Sequence, residues 1–346
     1  MPKKVTILSI DGGGIRGILP GVILANLEKR LRDKNGDSAR LSDFFDLIAG
    51  TSTGGILSCI YLAPDSSGRP KFTAQQAVDL YLERGQEIFD VTFWQKFRSG
   101  FSLTDEKYSA QNLEESLLDY LGDLKLSQLL KPCIVTSYEI FRRKSVFFNK
   151  VDAVDNEIND FYVRDIARAT SAAPTYFETA RIKSLYGTPY YLIDGGVFAN
   201  NPAMCAYAEA RTLDFASKLG HTGKVDKPEA KDMVIISIGT GSEATPYDYN
   251  QAKDWGAVGW ILPLIDILMS GNAETIDYQL KQMFKTITTP DQPDYYRLEP
   301  SREPADGNMD NATTKNMDAL REAGMRFVSE NDNLLDQLSD ILIANK

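Results

Sequence analysis

The segment Ala49-Gly50-Thr51-Ser52-Thr53-Gly54-Gly55-Ile56 carries a G-x-S-x-G pattern. An apolar run, Phe44–Gly50, leads into it as a strand candidate, and Gly54–Leu62 leaves it with helical character. A serine at such a strand-to-helix turn is a nucleophile elbow. Gly50 and Gly54 permit the sharp turn that lifts Oγ clear of the sheet, and the positive end of the following helix favours charge developing there. Acyl transfer through Ser52 is the chemistry this arrangement would serve.

Such a nucleophile needs a base. The chain has one histidine, His221, in the polar segment Leu219–Lys224. It follows Asp194 in the order used by Ser-Asp-His hydrolases. Nothing local holds it, however, and a solvated loop histidine is the simpler reading. A carboxylate is the stronger expectation, and Asp194 in Leu192-Ile193-Asp194-Gly195-Gly196 ends a short apolar strand with two glycines beyond it. Free aspartate has a pKa near ~3.9 and is a weak base; burial beside the nucleophile would raise that value. The bland alternative is a turn residue bonded to its own backbone.

The run Asp11-Gly12-Gly13-Gly14-Ile15-Arg16-Gly17 also fits the dinucleotide pattern G-x-G-x-x-G. That pattern requires an acidic residue at the end of the next strand, roughly 20 residues on. Here the next strand ends in the serine elbow, and no Walker-type loop is present. Gly12, Gly13 and Gly14 are therefore expected to present backbone N–H groups to an oxyanion, with no side chain in the way. Arg16 offers a positive charge for a phosphate or head group on the substrate, or a surface salt bridge.

Strand and helix patterns alternate around these residues. Val5–Ile10 reads as a buried strand and Gly17–Leu31 as a helix, with further helices at Ala74–Phe89, Ala110–Leu121 and Val163–Thr170. Cys133–Phe141 and Ser145–Asn149 suggest an antiparallel hairpin. Tyr190–Ile193 and Met233–Ile238 are strands, separated by a helix capped by Asn201 with Pro202 at its first position. The last hundred residues read as mostly helical. This alternation implies an α/β fold with a largely parallel sheet covered on both faces. No repeat or long linker divides the 346 residues, so one domain spanning 1–346 is expected.

Taken together, the three glycine-bearing motifs resemble the patatin-like phospholipases, as do Ala172–Phe177 and Ile238-Gly239-Thr240-Gly241. The resemblance extends over about residues 4–330 and leaves a helical tail to 346. It implies a three-layer α/β/α fold with a mainly parallel central sheet, and a lipid acyl hydrolase. Ser52 would be the nucleophile, Asp194 the base and the Gly12–Gly14 backbone the oxyanion hole, with no metal or cofactor. Its substrate would be a phospholipid or other acyl lipid. An acyltransferase or thioesterase with the same dyad is the near alternative. A catalytically silent storage or binding protein is the alternative from another class. Some members answer to nucleotide second messengers, and nothing in these residues indicates such an activator.

Composition bounds the partners. A net charge of −10 without a basic, aromatic-laced cluster argues against nucleic acid. The start, Met1-Pro2-Lys3-Lys4, gives no secretory pattern and no window reaches ~18 apolar residues, so a cytoplasmic protein with transient, peripheral membrane contact is expected. Cys59, Cys133 and Cys205 are scattered in apolar segments and read as free buried thiols. Two stretches are candidates for lipid contact. Trp255–Met269 reads as a core helix or an interfacial, acyl-binding one, and Val91–Phe97 as a partly buried loop or a docking element.

Overall fold

In the computed structural model, which describes residues 2–88, 110–242, 247–287 and 294–346, the strand candidates join one sheet. Its strands are β1 (Val5–Ile10), β2 (Leu47–Thr51), β3 (Cys133–Glu139), β4 (Lys144–Asn149), β5 (Ala180–Lys183), β6 (Pro189–Asp194), β7 (Met233–Ile238) and β8 (Tyr295–Leu298). β3, β2, β1, β7 and β8 lie side by side and parallel. β4 and β6 both pair antiparallel with β3, and β5 pairs antiparallel with β6.

The helices of eight or more residues, among the described residues, are α1 (Ile18–Asn35), α2 (Thr53–Leu62), α3 (Ala74–Ile88), α4 (Gln111–Leu121), α5 (Val163–Thr170), α6 (Ala203–Ala210), α7 (Ala257–Lys285), α8 (Thr314–Glu330) and α9 (Asp332–Asn345). Side chains on a strand point alternately to its two faces. Leu8, Ile10, Ile48 and Ile236 accordingly pack in one core with α1 to α5, α8 and α9. Val5, Ile7, Leu47 and Ile235 pack in a second core with α6 and the C-terminal half of α7. The result is the expected three-layer α/β/α arrangement. Each fully buried Leu or Ile contributes about 1.5–3 kcal/mol of transfer free energy, so a one-residue slip of a central strand would be strongly opposed.

One junction in the sheet has a direct bearing on the site. β4 occupies one edge of β3 from Ile134 to Glu139. Along the other edge, β2 ends with Thr51 opposite Thr136, and β6, running the other way, ends with Asp194 opposite Ser137. Two strands thus meet head to head on neighbouring residues of a third. Thr51 Oγ1 donates to the Ala199 carbonyl (2.6 Å), so Thr136 Oγ1 is the donor in their 2.7 Å hydroxyl pair. Ser137 Oγ donates to the Ile193 carbonyl (2.7 Å). These short side chains bind both strand ends to β3.

Some boundaries differ from expectation. The Phe44–Gly50 strand begins at Leu47, because Leu41–Asp43 forms a 3-10 turn and Phe44 and Phe45 are drawn into the core. The helix after Asn201 starts at Ala203, with Pro202 as N-cap and Asn201 Oδ1 accepting from the Ala203 amide at 3.0 Å. β5 and β8 were not anticipated. Cys59 and Cys133 are buried and Cys205 half-buried, all unpaired. Val91–Phe97 lies outside the described residues. No helix of the described residues is long and apolar enough to cross a membrane.

Candidate active site

Ser52 follows β2 and caps α2 with φ 54° and ψ −123°, a conformation rarely adopted by a residue with a side chain. Holding it there costs on the order of 1–3 kcal/mol. Close approach accounts for the glycines on either side: a Cβ on Gly50 would lie 2.1 Å from the Gly54 carbonyl oxygen, and one on Gly54 2.1 Å from that of Ile10. The rotated Ser52 amide donates to Thr170 Oγ1 (2.8 Å), which donates in turn to the Thr136 carbonyl (2.6 Å). Thr170 is fully buried at the end of α5. It supplies the partner that the strained turn removes from the backbone.

The head-to-head junction brings Asp194 beside this serine, whose hydroxyl helps to hold down the pKa of the Asp194 carboxylate. The Gly196 amide donates to Asp194 Oδ1 at 2.7 Å, so the expected Asp-Gly-Gly turn bond also forms. Asp194 is buried, and burial pushes its pKa from 3.8 up to about 7, against the pull of the Ser52 hydroxyl and the Gly196 amide. A carboxyl group with a pKa near the operating pH can both take and return a proton.

The glycine loop follows β1 on the same side of the sheet. A Cβ on Gly12 would sit 3.1 Å from Ser52 Cβ. The Gly12 amide donates to the Asn200 carbonyl (3.1 Å), which takes it out of the expected set of three oxyanion donors. The amides of Gly13 and Gly14 have no acceptor among the described residues. Gly14 has φ +59°, and a Cβ there would meet the Met309 carbonyl oxygen at 2.2 Å. Only glycine suits both that backbone and that contact.

Arg16 does not form the surface salt bridge that was one of its two expected roles. It is buried, and its guanidinium donates to the carbonyls of Gly13 (Nε, 3.1 Å) and Gly307 (3.4 Å). Burial and the charge of Arg302 lower its pKa to about 10, so it stays cationic at neutral pH. Its bond to the Gly13 carbonyl ties it to the glycine loop. Asp11, at the head of the same motif, accepts a two-pronged bond from Arg297 of β8 (3.0 and 2.6 Å). Burial raises Asp11 to about 6, while the adjacent guanidinium pulls it down. This pair ties the glycine loop to the sheet.

His221 is remote from these groups. Its Nδ1 lies 2.8 Å from Asp46 Oδ1, and Lys224 Nζ holds the other carboxylate oxygen at 2.7 Å. Asp46 precedes β2 whereas Ser52 follows it. At about 3.3 Å per residue the two are separated by a strand's length. His221 thus belongs to an ion-pair cluster at the opposite end of the sheet.

Ser52, Thr53, Gly14 and Asp194 sit in a pocket whose other walls are almost entirely apolar, including Leu80, Leu117, Phe177, Ile265 and Met269. Ser52 therefore faces a largely apolar lining. Thr170, Thr136, Asn200 and Arg297 were missed by sequence reasoning, since only their long-range bonds mark them out.

The model of the patatin-like phospholipase family matches residues 8–207. Patatin-like protein 3 of Arabidopsis thaliana is 36% identical, covering 93% of this chain and 80% of its own. Patatin-like protein 2 of the same plant is 35% identical, covering 92% and 82%. A potato (Solanum tuberosum) relative named "Probable inactive patatin-3-Kuras 1" is 32% identical, covering 95% and 87%. The chain belongs to the patatin-like phospholipase family.

Proposed function

We propose that the protein is a carboxylic-ester hydrolase of the phospholipase A type, acting through a Ser52–Asp194 dyad. The observation that carries this reading is the buried Asp194 carboxyl beside a strained serine, both lining one apolar pocket. Ser52 Oγ attacks the ester carbonyl as its proton passes to Asp194. The amides of Gly13 and Gly14 hold the oxyanion of the tetrahedral intermediate. As that intermediate collapses, Asp194 returns the proton to the leaving alcohol, a lysolipid or glycerol derivative. An acyl-enzyme remains on Ser52. Water, deprotonated by Asp194, then attacks the acyl carbonyl, and Asp194 passes that proton to Ser52 Oγ as the fatty acid is released.

A fluorophosphonate probe should label the wild type and leave Ser52→Ala unlabelled; labelling of both would overturn the assignment. Turnover of a p-nitrophenyl ester excludes a catalytically silent storage or binding protein; the potato relative's name calls that protein "probable inactive". Product analysis with glycerol or lysolipid as competing acceptor separates hydrolysis from acyl transfer.

A further inference from the structure

The N-terminal half of α7 closes the pocket with one face and turns large apolar side chains to solvent with another. Trp260, Ile261, Leu264, Ile267 and Leu268 recur at i, i+1, i+4, i+7 and i+8, the spacing of a single helical stripe. Each is at least 40% exposed. Ile265 and Met269 line the pocket, and Leu268 belongs to both surfaces, lining the pocket while 46% exposed. The stripe therefore reaches the pocket rim. Trp255 stacks edge-to-face on Trp260 (5.1 Å between ring centroids) and on Tyr247 (5.3 Å), which widens it with aromatic rings. A contiguous apolar surface of this kind on a water-exposed helix marks an interaction site.

We propose that this stripe docks on the surface of a lipid aggregate of zwitterionic or uncharged head groups, with the acyl chain entering the pocket past Leu268. The proposal rests on the lipid-hydrolase reading above. Charge selects the kind of surface. The stretch 257–269 has one charged residue, Asp266, which accepts a bond from the Tyr247 hydroxyl (3.2 Å), and it has no basic residue. With a net charge of −10 on the whole chain, anionic lipid is repelled over distance. Aliphatic and Trp side chains at the head-group boundary supply the attraction, and this term is insensitive to salt.

The test uses the full chain with Ser52→Ala, so that the lipid is not consumed, and phosphatidylcholine vesicles in a sedimentation assay. The expected result is co-sedimentation at low and high salt alike, weakened about tenfold or more by Ile261→Ser with Leu264→Ser. Neither residue lines the pocket. With Ser52 intact, the same pair of substitutions should leave hydrolysis of a soluble short-chain p-nitrophenyl ester within about twofold of wild type. Equal vesicle affinity with and without the substitutions overturns the proposal. So does binding that requires anionic lipid and vanishes at high salt, or a solution dimer that the two substitutions dissociate. If the wild type hydrolyses no ester, the hydrolase reading falls, and the vesicle comparison still decides the surface.

Discussion

Thr51 and Asp194 stand opposite adjacent residues of one strand, Thr136 and Ser137 of β3, although the chain carries them on strands running in opposite directions. Ser52 follows Thr51 directly, so the two members of the proposed dyad are neighbours because two strand ends are. The surrounding hydroxyls of Thr51, Thr136, Ser137 and Thr170 bond this junction together.

Activity should titrate with Asp194. As a base it works only when deprotonated, and its pKa of about 7 lies within the accessible range. kcat/KM for a soluble ester should fall about tenfold per pH unit below 7 and level off above it. A profile that stays flat from pH 5 to 8 would contradict this role.

The same group should cost stability where it is ionised. Its pKa is 3.8 ordinarily and about 7 when folded. Below about pH 4 both folded and unfolded chains hold the proton, and the penalty is absent. Between pH 4 and 7 only the folded chain holds it, so the wild type loses stability as pH rises, by about 4 kcal/mol in all. Asp194→Asn has no such proton to lose. Urea unfolding should find the variant gaining on the wild type from pH 4 to 7, and a pH-independent difference would refute the account.

Thr170 should act as a positioning residue. Thr170→Val keeps the shape but leaves the Ser52 amide and the Thr136 carbonyl without their partner. kcat should fall about 10- to 100-fold with KM for a short ester little changed. Thr170→Ser retains the hydroxyl and should recover most of the rate. A valine variant with wild-type kcat would remove Thr170 from the machinery.

His221→Ala should separate stability from chemistry. Losing the Asp46 contact should cost roughly 1–3 kcal/mol of unfolding free energy, because Asp46 is nearly buried and keeps only Lys224 as its charged partner. Ester hydrolysis should stay within about twofold. A loss of ~100-fold, the scale of a missing general base, would point to a histidine-based triad instead.

The parts of the site legible in the sequence were those whose chemistry is local. A serine between glycines at a strand end, and an aspartate before two glycines, constrain their own backbones, and short-range patterning exposes them. The bounds of α5 and β7 were likewise readable from uninterrupted periodicity. β5 and β8 were not, since four residues each, Ala180–Lys183 and Tyr295–Leu298, carry too few alternations to stand out. The burial of Arg16 is not legible in the sequence because its partners are carbonyls, one of them almost 300 residues away. The Gly12 amide was counted as free because its acceptor, Asn200, arrives from another part of the chain. Sequence also left the helix from Trp255 to Met269 open between core and interface. The structure divides it by face: Met269 is buried toward the pocket and Leu264 exposed to solvent.

β3 acts as a ruler for chemistry in which none of its own side chains takes part. Thr136 and Ser137 are two adjacent graduations, and the proposed reacting pair is read off against them. Truncating an outward side chain of β3 leaves the scale intact. Deleting or inserting one residue between Cys133 and Ser137 shifts one mark relative to the other, and turns a side chain from one face of the sheet to the other. The spacing of this strand is therefore less tolerant of length change than of substitution.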